Sequence, residues 1–191
     1  MKLVAPTQSI DFEAYDVHGE KFKLSDYRGK AVILCFFRNS SCPFCLKRVF
    51  ELAAHQQRWR KIGIEVIAVF SSSVSEMPNF KKNNFKRYRV VPDPHLEIYQ
   101  QYGIEHSLSG LLKGLIFRLP TVLDGFSKGA KIENNPHGKI LPADFLIDSS
   151  GQIAEAWYGQ NASANIPMER INKFVQRMAR ELREKNRDIT G

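Results

Sequence analysis

The residues with the clearest capacity for chemistry are Cys42 and Cys45, in the tetrapeptide Cys42-Pro43-Phe44-Cys45. Two cysteines at this spacing lie one helical turn apart, so their sulfurs can form and break a disulfide with little backbone movement. Pro43 suits the first position of a helix, where no N–H is required, and this places Cys42 at the N-cap. The free N–H groups and the dipole at that end stabilise a thiolate, the form that attacks disulfides and peroxides. The spacing therefore predicts redox chemistry.

Other uses of the cysteines are less consistent with the sequence. A structural zinc site needs four ligands, and the five histidines show no ligand spacing around the cysteine pair, so we expect no metal site. A pair that only packed in the core would seldom stand at a helix start behind a central strand. Cys35, within an apolar run, is expected to be a buried and inert thiol. No tightly bound cofactor is implied.

The elements on either side of the pair predict the fold class. The run AVILCFF (31–37) contains seven consecutive apolar residues, as in a central strand that is covered on both faces. After Cys42 a helix of about 20 residues is expected to end near Gly63. A second buried strand, IEVIAVF (64–70), follows. Two strands joined by a helix form a βαβ unit, so we expect a parallel pair with a right-handed connection and an α/β fold.

The rest of the chain shows no repeat and no linker, so we predict one domain over residues 1–191. Alternating patterns, turn residues and helical periodicity predict the remaining elements. These are a hairpin around His18-Gly19, a turn at Leu24–Tyr27, a helix within 75–87, a strand at Tyr88–Val91, a helix at 96–103, a loop at 127–139, an antiparallel hairpin of 143–148 with 152–159, and a last helix opened by Pro167.

The charge of the chain is concentrated in two places. The net charge of +8 arises from residues 81–89 and from a basic helical tail that begins at about residue 168, and the remainder is balanced. Phe85 and Tyr88 interleave with the first basic cluster, a composition compatible with nucleic-acid binding. No nucleic-acid motif accompanies it, so we expect a solvated basic surface and no nucleic-acid partner.

The most apolar stretch is residues 107–126, which Lys113, Arg118 and Asp124 interrupt. These charges and Pro120 argue against a membrane span. We expect a segment that covers the core, with a homodimer interface, a rim for substrate and contact with a membrane surface as open alternatives. The first 15 residues lack the charged and apolar regions of a secretory signal, so a cytoplasmic location is expected.

Three stretches together resemble a known family. FEAYDVHGEKFKLSDYRGKAVILCFFR, VVPDP followed by YQQYG, and LPADFLIDSSGQI are similar to the peroxiredoxin-like AhpC/TSA branch of the thioredoxin fold. The resemblance covers roughly residues 8–180. It implies a three-layer sandwich, in which a central mixed sheet has helices on both faces, with an N-terminal hairpin and an inserted helical segment.

The resemblance also implies roles for individual residues. Cys42 would attack a hydroperoxide or a disulfide, and Cys45 would resolve the product as an internal disulfide. An external thiol system (thioredoxin, glutaredoxin or glutathione) would restore the dithiol. Pro142 would be a cis-proline that faces the pair, and Leu141 would pair its backbone with substrate. Substrate contacts are also expected from Phe44 and from Arg38, whose guanidinium would favour the Cys42 thiolate.

Two departures from the family pattern leave the reaction open. Typical peroxiredoxins carry Pro seven residues and Thr or Ser three residues before the reactive cysteine, where this chain has Cys35 and Asn39. Thioredoxins carry Trp directly before their first cysteine, where this chain has Ser41. The hypotheses are therefore an antioxidant peroxidase, a disulfide reductase without peroxidase activity, and a redox sensor in which oxidation changes how residues 107–126 or the tail meet a partner.

Overall fold

The structure is a computed structural model that describes residues 1–78, 80, 88–104 and 140–190. Residues 185–190 are described by their backbone alone. The apolar stretch 107–126 and the loop predicted at 127–139 lie outside the described residues. So do most of the basic cluster 81–89 and most of the helix predicted within 75–87.

Strands make up the centre of the fold. In chain order they are β1 (Thr7–Gln8), β2 (Glu13–Tyr15), β3 (Lys21–Lys23), β4 (Ala31–Phe37), β5 (Ile64–Phe70), β6 (Arg89–Pro92), β7 (Ala143–Ile147) and β8 (Gln152–Tyr158). Six of them form one sheet in the order β1-β8-β7-β4-β5-β6. β4, β5 and β6 run parallel, whereas β7 is antiparallel to β4 and to β8, so the sheet is mixed.

Helices cover both faces of this sheet. The α-helices are α1 (Pro43–Arg60), α2 (Glu97–Gln101) and α3 (Met168–Thr190), and 3₁₀ turns occupy Leu24–Tyr27 and Val74–Glu76. Strand β4 alternates between the two cores: Ile33 and Cys35 pack with α1 and α3, and Leu34 packs with α2 and the β2–β3 hairpin. Because β4 is buried on both faces, its sequence is a continuous apolar run.

The predicted architecture is confirmed. The chain forms an α/β sandwich with a parallel β4–α1–β5 unit and an N-terminal hairpin, in which Gly19 adopts a φ of 83° in the turn. The strand predicted at Tyr88–Val91 is shifted by one residue, and β1 is an addition that the sequence did not indicate. Within the described residues, no helix is both long enough and apolar enough to cross a membrane.

Candidate active site

Cys42 lies at the N-cap of α1, as its spacing from Pro43 predicts. Strand β4 ends five residues earlier, and Arg38–Ser41 carry the chain from the sheet to the helix. The Cys42 carbonyl accepts the first helical bond from the N–H of Leu46 at 2.9 Å. Cys42 and Cys45 are free thiols, so the structure represents the reduced dithiol.

Arg38 contacts the Cys42 sulfur directly. Its Nη2 donates a hydrogen bond to Cys42 Sγ at 2.8 Å, and both side chains are largely buried. Burial alone would raise the pKa of Cys42. Hydrogen bonding from Cys45, together with the charge and hydrogen bond of Arg38, outweighs burial and lowers this pKa to about 6. At neutral pH Cys42 is therefore mainly a thiolate.

Cys45 has the opposite ionisation. Burial raises the pKa of Cys45 well above its ordinary value, and the adjacent Cys42 thiolate raises it further. The pair therefore shares one proton, which stays on Cys45 and is directed at the Cys42 sulfur. This division gives a nucleophilic thiolate at the helix end and a protonated thiol one turn further along the helix, as a two-cysteine redox cycle requires.

The other predicted site residues are placed at the same end of the sheet. The antiparallel ladder between β4 and β7 ends with Phe36 opposite Ala143. Leu141 and Pro142 directly precede Ala143, so they lie near the start of the Arg38–Ser41 turn. Phe44 is buried and lines a cavity of about 500 Å³ together with Trp157 and Ile166. The substrate contacts expected of Phe44, Leu141 and Pro142 stay predictions.

The expected cis-proline at position 142 is wrong. Within the described residues, the cis peptide bond is Ala5–Pro6, and Leu141–Pro142 is trans. The Pro142 carbonyl accepts the N–H of Gly159 at 2.8 Å. Pro142 thereby joins the β7–β8 hairpin to the chain that follows it.

A buried cluster with two charged residue types joins α1, β7 and the segment before α3, and was not predicted. Asp144, on β7, accepts the N–H of Ile166 at 2.8 Å, and Arg48, one turn after Cys45, donates to the carbonyl of Ile166 at 2.7 Å. Burial raises the pKa of Asp144 despite the charge of Arg48. Asp144 also lies opposite Cys35 in the ladder, and burial raises the pKa of Cys35 well above its ordinary value. The sequence signal was an acid inside the apolar strand ADFLI.

Cys35 is fully buried, in agreement with the expected inert thiol. Among the described residues, no group of three or more His, Cys, Asp or Glu side chains is arranged to hold a metal ion.

Comparison with known proteins decides the family. The model of the AhpC/TSA family matches residues 6–156, a span that contains Arg38, Cys42 and Cys45. The chain belongs to the AhpC/TSA family. This AhpC/TSA protein is 22% identical over 119 residues to peroxiredoxin Bcp of Escherichia coli, an overlap of 61% of this chain and 76% of the relative. It is thus a thiol oxidoreductase of the peroxiredoxin-like kind.

Solved structures confirm the thioredoxin-like fold of this AhpC/TSA chain. Peroxidoxin BcpB from Mycobacterium tuberculosis is 14% identical with a TM-score of 0.60, and the match covers 94% of this chain and 96% of that one. A protein from Chlorobium tepidum assigned as a thiol:disulfide interchange protein DsbE is 18% identical with a TM-score of 0.63, covering 93% and 99%. At these identities the likeness shows the fold alone.

Proposed function

We propose that the protein reduces hydroperoxides through a Cys42–Cys45 dithiol cycle that an external thiol system regenerates. The observation that carries this proposal is the Arg38 guanidinium 2.8 Å from the Cys42 sulfur at a helix N-terminus. A thiolate in this environment exists at neutral pH and is the nucleophilic form of cysteine. The name of the Escherichia coli relative, a peroxiredoxin, supports a peroxide as the substrate.

The proposed reaction has three steps, which are oxidation of Cys42, formation of the Cys42–Cys45 disulfide and its reduction by an external thiol. The Cys42 thiolate attacks the terminal oxygen of the hydroperoxide, the O–O bond breaks, and the alkoxide takes a proton from solvent and leaves as an alcohol. Cys42 is then a sulfenic acid. The Cys45 sulfur attacks the Cys42 sulfur, and the departing hydroxide takes the Cys45 proton to form water. Two thiols of the reductant restore the dithiol by exchange and are themselves oxidised to a disulfide.

Arg38 has two proposed roles in the first step. Its positive charge holds Cys42 in the thiolate form, and the same charge would stabilise the negative charge that develops on the peroxide oxygen. This fits the position of Arg38 four residues before Cys42 and a chain that has Asn39 where peroxiredoxins carry Thr or Ser. Phe44, Leu141 and Pro142 are proposed to contact the substrate or the reductant at the same end of the sheet.

The test measures the rate of thiol loss in the reduced protein with hydrogen peroxide and with an organic hydroperoxide. We expect a rate far above that of a free thiol at the same pH. Cys42→Ser should abolish the reaction, whereas Cys45→Ser should still react but stop at a sulfenic acid that a dimedone-type reagent captures. A wild-type rate equal to that of a free thiol, or full activity in Cys42→Ser, would refute the peroxidase.

A disulfide reductase is the second candidate, and the residues at positions 35 and 39 favour it. Cys35 and Asn39 replace the Pro and the Thr or Ser of the usual peroxide pocket. In this case Cys42 attacks a substrate disulfide, and Cys45 releases the reduced substrate by forming the Cys42–Cys45 disulfide. Reduction of a protein disulfide at a rate that peroxide does not match would identify this function. A sensor would instead oxidise once and show no sustained consumption of reductant.

A cytoplasmic location and a thioredoxin, glutaredoxin or glutathione reductant complete the proposal. Both follow from the need for a pool of reduced thiols to regenerate the Cys42–Cys45 pair. A homodimer that uses residues 107–126 remains a prediction. Sedimentation of the reduced protein and of the oxidised protein would measure it.

A further inference from the structure

The turn that carries Arg38 begins where the sheet stops supporting the backbone. The parallel ladder between β4 and β5 ends at Phe37 opposite Phe70. Beyond this pair, the carbonyls of the turn need other donors, because a buried carbonyl without a hydrogen bond is costly. Arg38 is itself largely buried, so solvent is a poor source of such donors.

Two side chains supply these donors from neighbouring elements. The Ser71 hydroxyl, directly after β5, donates to the carbonyl of Arg38. The Tyr99 hydroxyl, on α2, shares its single proton between the carbonyl of Phe37 and that of Val69, the latter at 3.0 Å. Ser71 and Tyr99 are both almost completely buried, so water does not replace either donor.

Ser72, the residue after Ser71, is joined to the turn in a different way. The Ser72 hydroxyl accepts the N–H of Ser40 at 3.1 Å. Ser72 is as deeply buried as Ser71 and makes one hydrogen bond to the same turn. Its contact lies two residues after Arg38, so it does not hold the main-chain carbonyl of Arg38 itself.

We propose that Ser71 is a positioning residue of the active site, whose hydroxyl fixes the main chain at Arg38 so that the guanidinium stays on the Cys42 sulfur. Tyr99 supports the same position through the carbonyl of Phe37. Ser71 touches neither sulfur and acts only through Arg38. This inference rests on the proposed function because it concerns the activation of the same thiolate.

The test titrates the Cys42 thiolate by its ultraviolet absorbance in the full-length reduced protein. Burial raises the pKa of Cys35 and that of Cys45, so Cys42 is the cysteine expected to titrate between about pH 4 and about pH 8. In Ser71→Ala we expect the pKa of Cys42 to rise from about 6 toward the ordinary value of a thiol. The peroxide rate at pH 6 should fall about two- to five-fold and recover as the pH rises.

Three matched variants complete the design. Ser71→Thr keeps the hydroxyl and should restore the titration, and Tyr99→Phe, which removes one hydroxyl only, should raise the pKa of Cys42 in the same direction. Ser72→Ala loses an equally buried hydrogen bond and should leave the titration in place. Circular dichroism establishes that each variant is folded, and if Ser71→Ala is not, Tyr99→Phe with Ser72→Ala decides the question.

The outcomes separate this inference from the proposed function. An unchanged titration in Ser71→Ala, or an equal change in Ser72→Ala, overturns the positioning role. If Arg38→Met raises the pKa of Cys42 and Ser71→Ala does not, only the positioning role fails. If Arg38→Met leaves the titration unchanged, the activation of Cys42 by Arg38 fails as well.

Discussion

At the scale of single residues, Arg38 is expected to control the reactivity of Cys42. Arg38→Met removes the charge and the 2.8 Å hydrogen bond while keeping a long apolar side chain, so the pKa of Cys42 should rise, with hydrogen bonding from Cys45 left to oppose burial. The rate with hydrogen peroxide at pH 7 should fall about tenfold or more, because few molecules then carry the thiolate. Stopped-flow kinetics would measure this rate over a range of pH.

Arg58→Met, which removes an exposed arginine near the far end of α1, is the control and should react like the wild type. An equal loss in this variant would mean that overall charge, and not the contact with Cys42, sets the rate.

The contacts that depend on local spacing were predictable, and those that depend on distant segments were not. Cys42 at the N-cap follows from Pro43 beside it, and the approach of Arg38 follows from a separation of four residues across one turn. The cluster of Arg48, Asp144 and Ile166 joins three segments far apart in the chain, so only the presence of an acid in a buried strand could have indicated it.

At the scale of elements, Arg48 is expected to hold α1 to the segment that precedes α3. Arg48→Met removes the hydrogen bond to the Ile166 carbonyl and leaves the buried Asp144 without its nearest positive charge. We expect a loss of about 2 kcal/mol in the free energy of unfolding, because the buried Ile166 carbonyl loses a charged donor. Urea unfolding monitored by circular dichroism would measure it.

A second substitution tests the mechanism of this loss. Asp144→Asn keeps an acceptor for the Ile166 N–H but removes the charge. The double variant, Arg48→Met with Asp144→Asn, should therefore lose less stability than the sum of the losses in the two single variants. Lys173→Met breaks an exposed ion pair with Glu169 and should change stability very little. Simple additivity in the double variant would contradict an interaction between Arg48 and Asp144.

The elements themselves were predicted well where their patterns were long. β4 and β5 are seven-residue apolar runs, and α3 has its apolar residues at helical spacing, so burial and secondary structure agree along each of them. β1 has two residues and no pattern of its own. It exists because β8 offers Ile153 and Gln152 as pairing partners, which is information from the other end of the chain.

At the scale of the whole molecule, the redox state is expected to change stability in a pH-dependent way. The pKa of Cys42 is about 6 in the folded dithiol and near its ordinary value of about 8.5 when unfolded. A lowered pKa stabilises the fold above the unfolded value, and this stabilisation is lost as the pH falls toward 6. The reduced protein should therefore gain stability relative to the oxidised one between about pH 6 and about pH 8.

Thermal unfolding of both redox forms across this range would measure the difference. Cys42→Ser lacks the titrating thiol, so its stability should show no such gain over this pH range. A difference in stability between the reduced and oxidised wild-type protein that does not change with pH would contradict the assignment of the thiolate to Cys42.

The order of the central sheet also bears on how the protein behaves at high concentration. One border of the sheet, β6, ends in Pro92 and has its Val90 carbonyl occupied by the N–H of Val17. At the other border, β1 covers the start of β8, and the N–H of Leu3 reaches the Tyr158 hydroxyl near its end. Deleting residues 1–8 would remove the pairing of β1 with Gln152 and Ile153, so the start of β8 could pair with its copy in another molecule. We therefore expect the chain without its first eight residues to aggregate more readily than the full chain at high concentration, and light scattering would measure this difference.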